Sequence, residues 1–162
     1  MSRFEELRNL ALQRSHAFVH YSEECHTFAI LLVSLLKTYL GCPDGVLHFY
    51  EVDREHNLRE ETRGPNLCFC FDSYWYFSLG IDFPYAEPVA AALGPAYHIR
   101  VEIGIKKIGS EFSIRLPEKD FRVAAPADAN HFCEHVFESL KGLLERPWTE
   151  PRKTTIGFTT SD

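Results

Sequence analysis

Between positions 98 and 116 apolar and polar residues alternate, and this pattern decides the fold class. Ile99, Val101, Ile103 and Ile105 share one parity, and His98, Arg100, Glu102 and Lys106 share the other. Side chains on a strand point to opposite faces in turn, so this is a strand buried on one face and wetted on the other. Gly109-Ser110 fits a two-residue turn, after which Phe112, Ile114 and Leu116 resume the buried parity against Glu111, Ser113 and Arg115. A hairpin with one wet face belongs to an antiparallel sheet, and the rest of the chain must cover the other face.

Helical spacing flanks this region on both sides. Ser2 and Glu5 form a capping box ahead of Phe4, Leu7, Leu10, Ala11 and Phe18, which recur on one helical face. Ser22, followed by Glu23 and Glu24, reads as a second helix start, running to Leu40 with Gly41 as C-cap and Pro43 beyond. From 28 to 36 that segment is apolar nearly all round, so it is expected in the core with the first helix lying across it. Strands follow at 46–54, 67–71 and 74–82, with a charged hairpin or loop at 55–63. The latter two strands are apolar on both faces, which places them in the middle of a sheet or at a sheet face that something else covers. A short helical insert is expected within 84–95, and a last helix spans 129–145, with Asp128 as N-cap. Its buried stripe is Phe132, Val136, Leu140 and Leu143, backed by Phe137 and Leu144, and Pro147 stops it.

The expected fold is therefore α+β: an antiparallel sheet of about five strands, with two N-terminal helices and one C-terminal helix packed on it. A single domain covers 1–146, and 147–162 is a C-terminal tail or short edge strand. The element order resembles that of the small acidic chaperones of bacterial secretion systems. It is a resemblance of topology alone, carried by no motif, and implies little about function.

Charge and composition remove several function classes. The formal net charge is -6 over 162 residues. Arg100, Lys106, Lys107 and Arg115 are diluted by Glu102 and Glu111, so no cationic stripe forms and nucleic acid is not an expected partner. The apolar run at 28–36 falls well short of the ~20 residues that span a bilayer, so no membrane role is expected. Five cysteines in no disulfide spacing, behind a start that reads as a helix and not an export signal, suit a cytoplasmic protein with reduced thiols.

Candidate chemistry is sparse. His16/His20 and His131/His135 are each four apart on a helix and could hold one metal edge, extended by Glu24 or Glu138, but no further ligands converge. The segment His-Phe-Cys-Glu-His at 131–135 lacks the Glu that follows the first His in zinc hydrolases. Cys68 and Cys70 face the same side of a strand with no second pair to complete a zinc site. Cys25 lies beside Glu23 and Glu24, which oppose thiolate formation. No nucleophile elbow or phosphate-binding glycine loop is present, and no cofactor is expected. Glu51, Asp53, Glu55, Glu60 and Glu61 are interspersed with Arg54, Arg59 and Arg63 as a self-neutralising loop.

The surplus of rings carries the most functional content: 13 Phe, 7 Tyr and 2 Trp against one Met. Tyr74, Tyr76 and Tyr50 lie opposite the core parity, with Tyr85 in the following loop, and amphipathic rings of this kind mark contact surfaces. The expectation is a non-catalytic cytosolic protein-binding module, such as a bacterial immunity protein against a toxin or a small chaperone for one effector or client. Its contact residues would be Tyr50, Glu51, Asp53, Glu55, Tyr74, Tyr76 and Tyr85, and a homodimer is compatible with it. The alternative is a small-molecule-binding protein or enzyme with an aromatic pocket between the helix at 23–40 and the sheet.

Overall fold

The computed structural model describes residues 2–83, 97–146 and 158–161. One helix, α1 (Arg3–Leu40), replaces the two expected at the N-terminus. Ser22 carries a start signal, but neither Gly nor Pro stands between Arg3 and Leu40 to stop the preceding turn, so the helix runs through. Its ends are those read from the sequence. The Ser2 hydroxyl accepts from the Glu5 amide while the Glu5 carboxylate accepts from the Ser2 amide, and Gly41 terminates the helix at φ 65°.

The strands are β1 (Leu47–Val52), β2 (Leu58–Thr62), β3 (Cys68–Phe69), β4 (Trp75–Phe83), β5 (Tyr97–Ile108), β6 (Glu111–Leu116), β7 (Lys119–Val123) and β8 (Phe158–Ser161). They form one antiparallel sheet in the order β2-β1-β4-β5-β6-β7. Two strands lie in series with others: β3 follows β1 along the edge of β4, and β8 follows β6 along β5. More strands form than the sequence indicates. β2 emerges from the charged loop because β1 offers it a free edge, and it needs no apolar parity because most of it stays exposed. The expected central strand at 67–71 shrinks to the two residues of β3, and Phe71 beyond it is 85% exposed. The thirteen residues between β4 and β5, where a helical insert is expected, lie outside the described residues, as does most of 147–162.

One sheet face holds the core. Trp75, Phe77, Leu79 and Ile81 of β4 stand against Ile99, Val101, Ile103 and Ile105 of β5, joined by Ile114 and Leu116 of β6 and by Phe121 and Val123 of β7. Both helices cover this face: α1 through Cys25, Phe28, Ala29, Leu32, Val33 and Leu36, and α2 (Asn130–Leu144) through Phe132, Cys133, Val136 and Leu140. Phe28 stacks on Phe112 with ring centroids 4.0 Å apart. Two details differ from expectation at α2. Asp128 sits in the preceding 3-10 turn, where its carboxylate accepts the Ala125 amide, and Phe137 and Leu144 flank the stripe exposed, with Cys133 buried in their stead. No helix among the described residues is long and apolar enough to cross a membrane.

Burial of α1 is confined to its second half: every residue from Ser2 to His20 is exposed, and ahead of Phe18, whose ring rests on Phe69 and Trp75, the first half is no part of the core. A substitution in that half therefore acts on surface alone. Leu7→Asp is expected to change unfolding free energy by no more than about 0.5 kcal/mol, whereas Leu32→Ala, fully enclosed, should cost about 2–5 kcal/mol in a urea titration.

Candidate functional site

The face of the sheet opposite the helices is covered by its own side chains. Two glycines make this possible. A Cβ on Gly104 would stand 2.5 Å from the Tyr76 ring, and one on Gly80 would stand 2.7 Å from the His98 ring and 2.9 Å from that of Tyr50. Each ring lies down over a bare stretch of backbone where a larger residue would hold it upright. Tyr74 and Tyr76 end up 4% and 5% exposed, packed with Val52, Cys68 and Cys70.

Their hydroxyls are bound inward as well. Tyr76 donates to Asp72 at 2.6 Å, Tyr74 meets Ser113 at 2.9 Å, and the Arg115 guanidinium lies 3.9 Å above the Tyr74 ring while pairing with Asp72 and Asp120. Burial and the Asp72 contact push the Tyr76 phenol well above its ordinary value. Burial would push Asp72 up, yet the Tyr76 hydroxyl, the Tyr74 amide and Arg115 hold it below the usual carboxylate range. Tyr74 and Tyr76 are thus enclosed by the chain, and the expectation that they stand out as contact rings is corrected. Cys70 behaves as a small core residue: burial, then Cys68 beside it, pushes its thiol up to about 12.

At the other end of the same face β2, β1, β4 and β5 bring five acid and base groups into a chain. Glu61 meets His48 Nδ1 at 2.8 Å, and His48 Nε2 lies 2.9 Å from Asp82 Oδ2, off the hydrogen-bond line. Asp82 in turn accepts from His98 Nδ1, and His98 Nε2 meets the Tyr50 hydroxyl at 3.3 Å. Orienting the imidazole through Nδ1 leaves Nε2 to face Tyr50, the arrangement by which a carboxylate fixes a histidine tautomer. The His48 ring is held above its ordinary pKa, first by the Glu61 bond and then by Asp82, against burial.

The remaining candidates separate. Tyr50, Glu51 and Asp53 are half-buried and Glu55 is exposed, while Tyr85 lies outside the described residues. Glu51 and Asp53 line an open hollow of about 520 Å³ with Arg54, Arg59 and Glu60. Asp53 is committed there to the turn, accepting the Glu55 and Asn57 amides at 3.0 and 2.9 Å and pairing with Arg59. His131 is exposed, and His135 turns to Glu118 at 3.3 Å. Among the described residues no three His, Cys, Asp or Glu side chains converge as a metal ion would require. Between the second half of α1 and β1 runs an open groove of about 660 Å³, lined by Ile30, Val33, Leu47, Phe49, Lys37 and Arg63 among others. Phe49 and the His26 imidazole are its aromatic groups among Ile30, Val33, Leu47 and the prolines, so the structure places here an apolar groove with a cationic rim, less aromatic than the expected cup.

Among the described residues, an uncovered apolar surface runs along the first half of α1. Positions 4, 11, 18, 25 and 32 recur every seventh residue, so Phe4, Ala11 and Phe18 continue the line that Cys25 and Leu32 bury. Leu7 and Leu10 flank it. Phe18 is where cover ends: its ring packs on Phe69 and Trp75 at centroid distances of 5.2 and 5.6 Å. Ahead of it Phe4 is 74% exposed, Leu7 65% and Leu10 55%. Sequence periodicity located this stripe, but the expected break at Ser22 folded it back onto the domain. Phe71, just ahead of the 74–85 stretch, is the ring of this region that stands in solvent, 85% exposed.

No protein-family model, no curated protein and no solved structure matches the chain. The reading of these surfaces therefore rests on their geometry.

Two outcomes follow. Gly104→Ala should cost about 1–3 kcal/mol, because the new methyl lifts a rigid Tyr76 ring off the sheet, and near-ultraviolet circular dichroism should register the change. His48 has a folded-state pKa above its unfolded value, so its contribution is complete below about pH 6.5 and is lost as pH rises through the folded value. His48→Gln should accordingly destabilise the protein at about pH 5.5 by up to about 1 kcal/mol and much less at about pH 9, as read by denaturant titration at both.

Proposed function

We propose that this chain is a non-catalytic protein-binding module whose contact element is the free half of α1. The observation that supports this reading is the apolar line: Cys25 and Leu32 are fully buried on it, and ahead of Phe18 the same spacing leaves Phe4 74% exposed with Leu7 beside it at 65%. Monomeric proteins seldom expose contiguous apolar stripes of this kind, and larger ones mark interaction sites. The sevenfold recurrence suits the apolar face of another helix, which would seat its side chains between Phe4, Leu7, Leu10 and Phe18.

The partner is accordingly a helix-bearing protein: a toxin, an effector or a client in the cytoplasm, with a second copy of the chain as the homomeric form of the same contact. Catalysis has less to stand on. The thiols of Cys25 and Cys70 are pushed up by burial, away from the thiolate a nucleophile needs. A second reading, a binder of small apolar molecules, is favoured by the groove between α1 and β1, whose volume falls within the range of ligand pockets.

The two readings diverge in one comparison. Tagged protein is expressed in its native host beside Leu7→Asp and Gln13→Asp, which place the same charge on the apolar line and on the opposite side of the same helix. Loss of one stoichiometric partner with Leu7→Asp, and its retention with Gln13→Asp, is the expected result. Equal retention by both variants removes the free half of α1 from the contact.

A further inference from the structure

We propose that the corner of the open sheet face around Arg100 binds the oxyanion of a small soluble ligand, a phosphate or a carboxylate group. The inference starts from an imbalance of pairing. Asp82 is taken by His98 and flanked by His48, Glu61 is taken by His48, and Glu102, two residues along β5 from Arg100 on the same face, is taken by His56 at 2.7 Å. The carboxylates of this corner are thus matched to histidines. Arg100 is not matched: its Nε is buried with no hydrogen-bond partner, and among the described residues no carboxylate pairs with its guanidinium.

A guanidinium stays charged at any ordinary pH and offers a planar fork of donors that fits two oxygens of one oxyanion. Leaving a buried donor of this kind unmet is costly, and native structures rarely do so without a ligand or water to meet it. The surroundings provide for such a guest. Directly across from Arg100 on β4 stands Gly80, whose missing side chain lets two polar-tipped rings fill the space there. Tyr50 and His98 lie over that glycine, and the Tyr50 hydroxyl meets His98 Nε2 at a long 3.3 Å, so it can turn to donate to a ligand oxygen. His48, held between two carboxylates, offsets their charge next to the site. The whole arrangement is independent of the free half of α1, so either proposal can fail without the other.

The test uses the full-length, isotope-labelled protein and follows the Arg100 Nε–H resonance and the Tyr50 and His98 ring signals. Inorganic phosphate and acetate are titrated separately, with ionic strength held constant by sodium chloride. The expected result is a saturable shift at these three residues with one of the anions or both, and which anion saturates identifies the oxyanion recognised. Arg100→Lys keeps the charge and loses the fork, so it should weaken binding by about tenfold or more while the spectrum stays that of the folded protein. Tyr50→Phe, whose ring still covers Gly80, should weaken it severalfold, and Leu7→Asp should leave it unchanged. Three results would overturn the assignment: a response that sodium chloride alone reproduces, a shift that stays linear with both anions, or undiminished binding by Arg100→Lys and Tyr50→Phe.

Discussion

Trp75, Phe77, Leu79 and Ile81 of β4 are paired one to one with Ile105, Ile103, Val101 and Ile99 of β5, and the molecule is assembled on that double row. All eight are buried. The row fixes which face the helices cover, because a slip of one residue would put His98, Arg100 and Glu102 under α1 and the isoleucines in water. It also limits how much helix the domain can cover. A helix of 38 residues is about 57 Å long, while six strands set side by side measure about 24–29 Å across. Part of α1 must stand beyond the sheet, and the part that does so carries the same apolar line as the part that does not.

The opposite face shows how a sheet can do without a second helical layer. Gly80 and Gly104 lie on the wet parity of the two central strands, where a side chain would prop neighbouring rings upright. With hydrogen there, Tyr76, His98 and Tyr50 lie flat, shield the backbone and send their polar atoms to Asp72 and to each other. The result is a layer one side chain thick, polar at its rim and apolar beneath. Its pairing uses up the acidic groups of one corner and, among the described residues, leaves the Arg100 Nε without a hydrogen-bond partner, which sets that corner apart chemically from the rest of the face.

What the sequence made legible was local. The alternation at 98–116, the capping box at Ser2, the Gly41 cap and the apolar stripe of α2 all depend on near neighbours, and each is found where the spacing puts it. Three readings failed for reasons of longer range. Ser22 resembles a helix start, but a start signal has no power to end the helix before it when no breaker intervenes. The two-faced apolar character of 74–82 was attributed to rings in excess of the core, whereas the excess is absorbed by glycines on adjacent positions of β4 and β5. β2 was hidden because a mostly exposed strand has no parity to reveal it. The chain of Glu61, His48, Asp82, His98 and Tyr50 joins four strands, so only the register could bring it together.

The most direct test of the account is site-specific photocrosslinking in the native host, with the photoreactive residue at position 7 on the apolar line or at position 13 on the far side of α1. The account predicts one discrete adduct from position 7, whether to another protein or to a second copy of the chain, and none from position 13. Equal adducts from the two positions, or none from position 7, would contradict the view that the uncovered half of this helix is built to be covered by a partner.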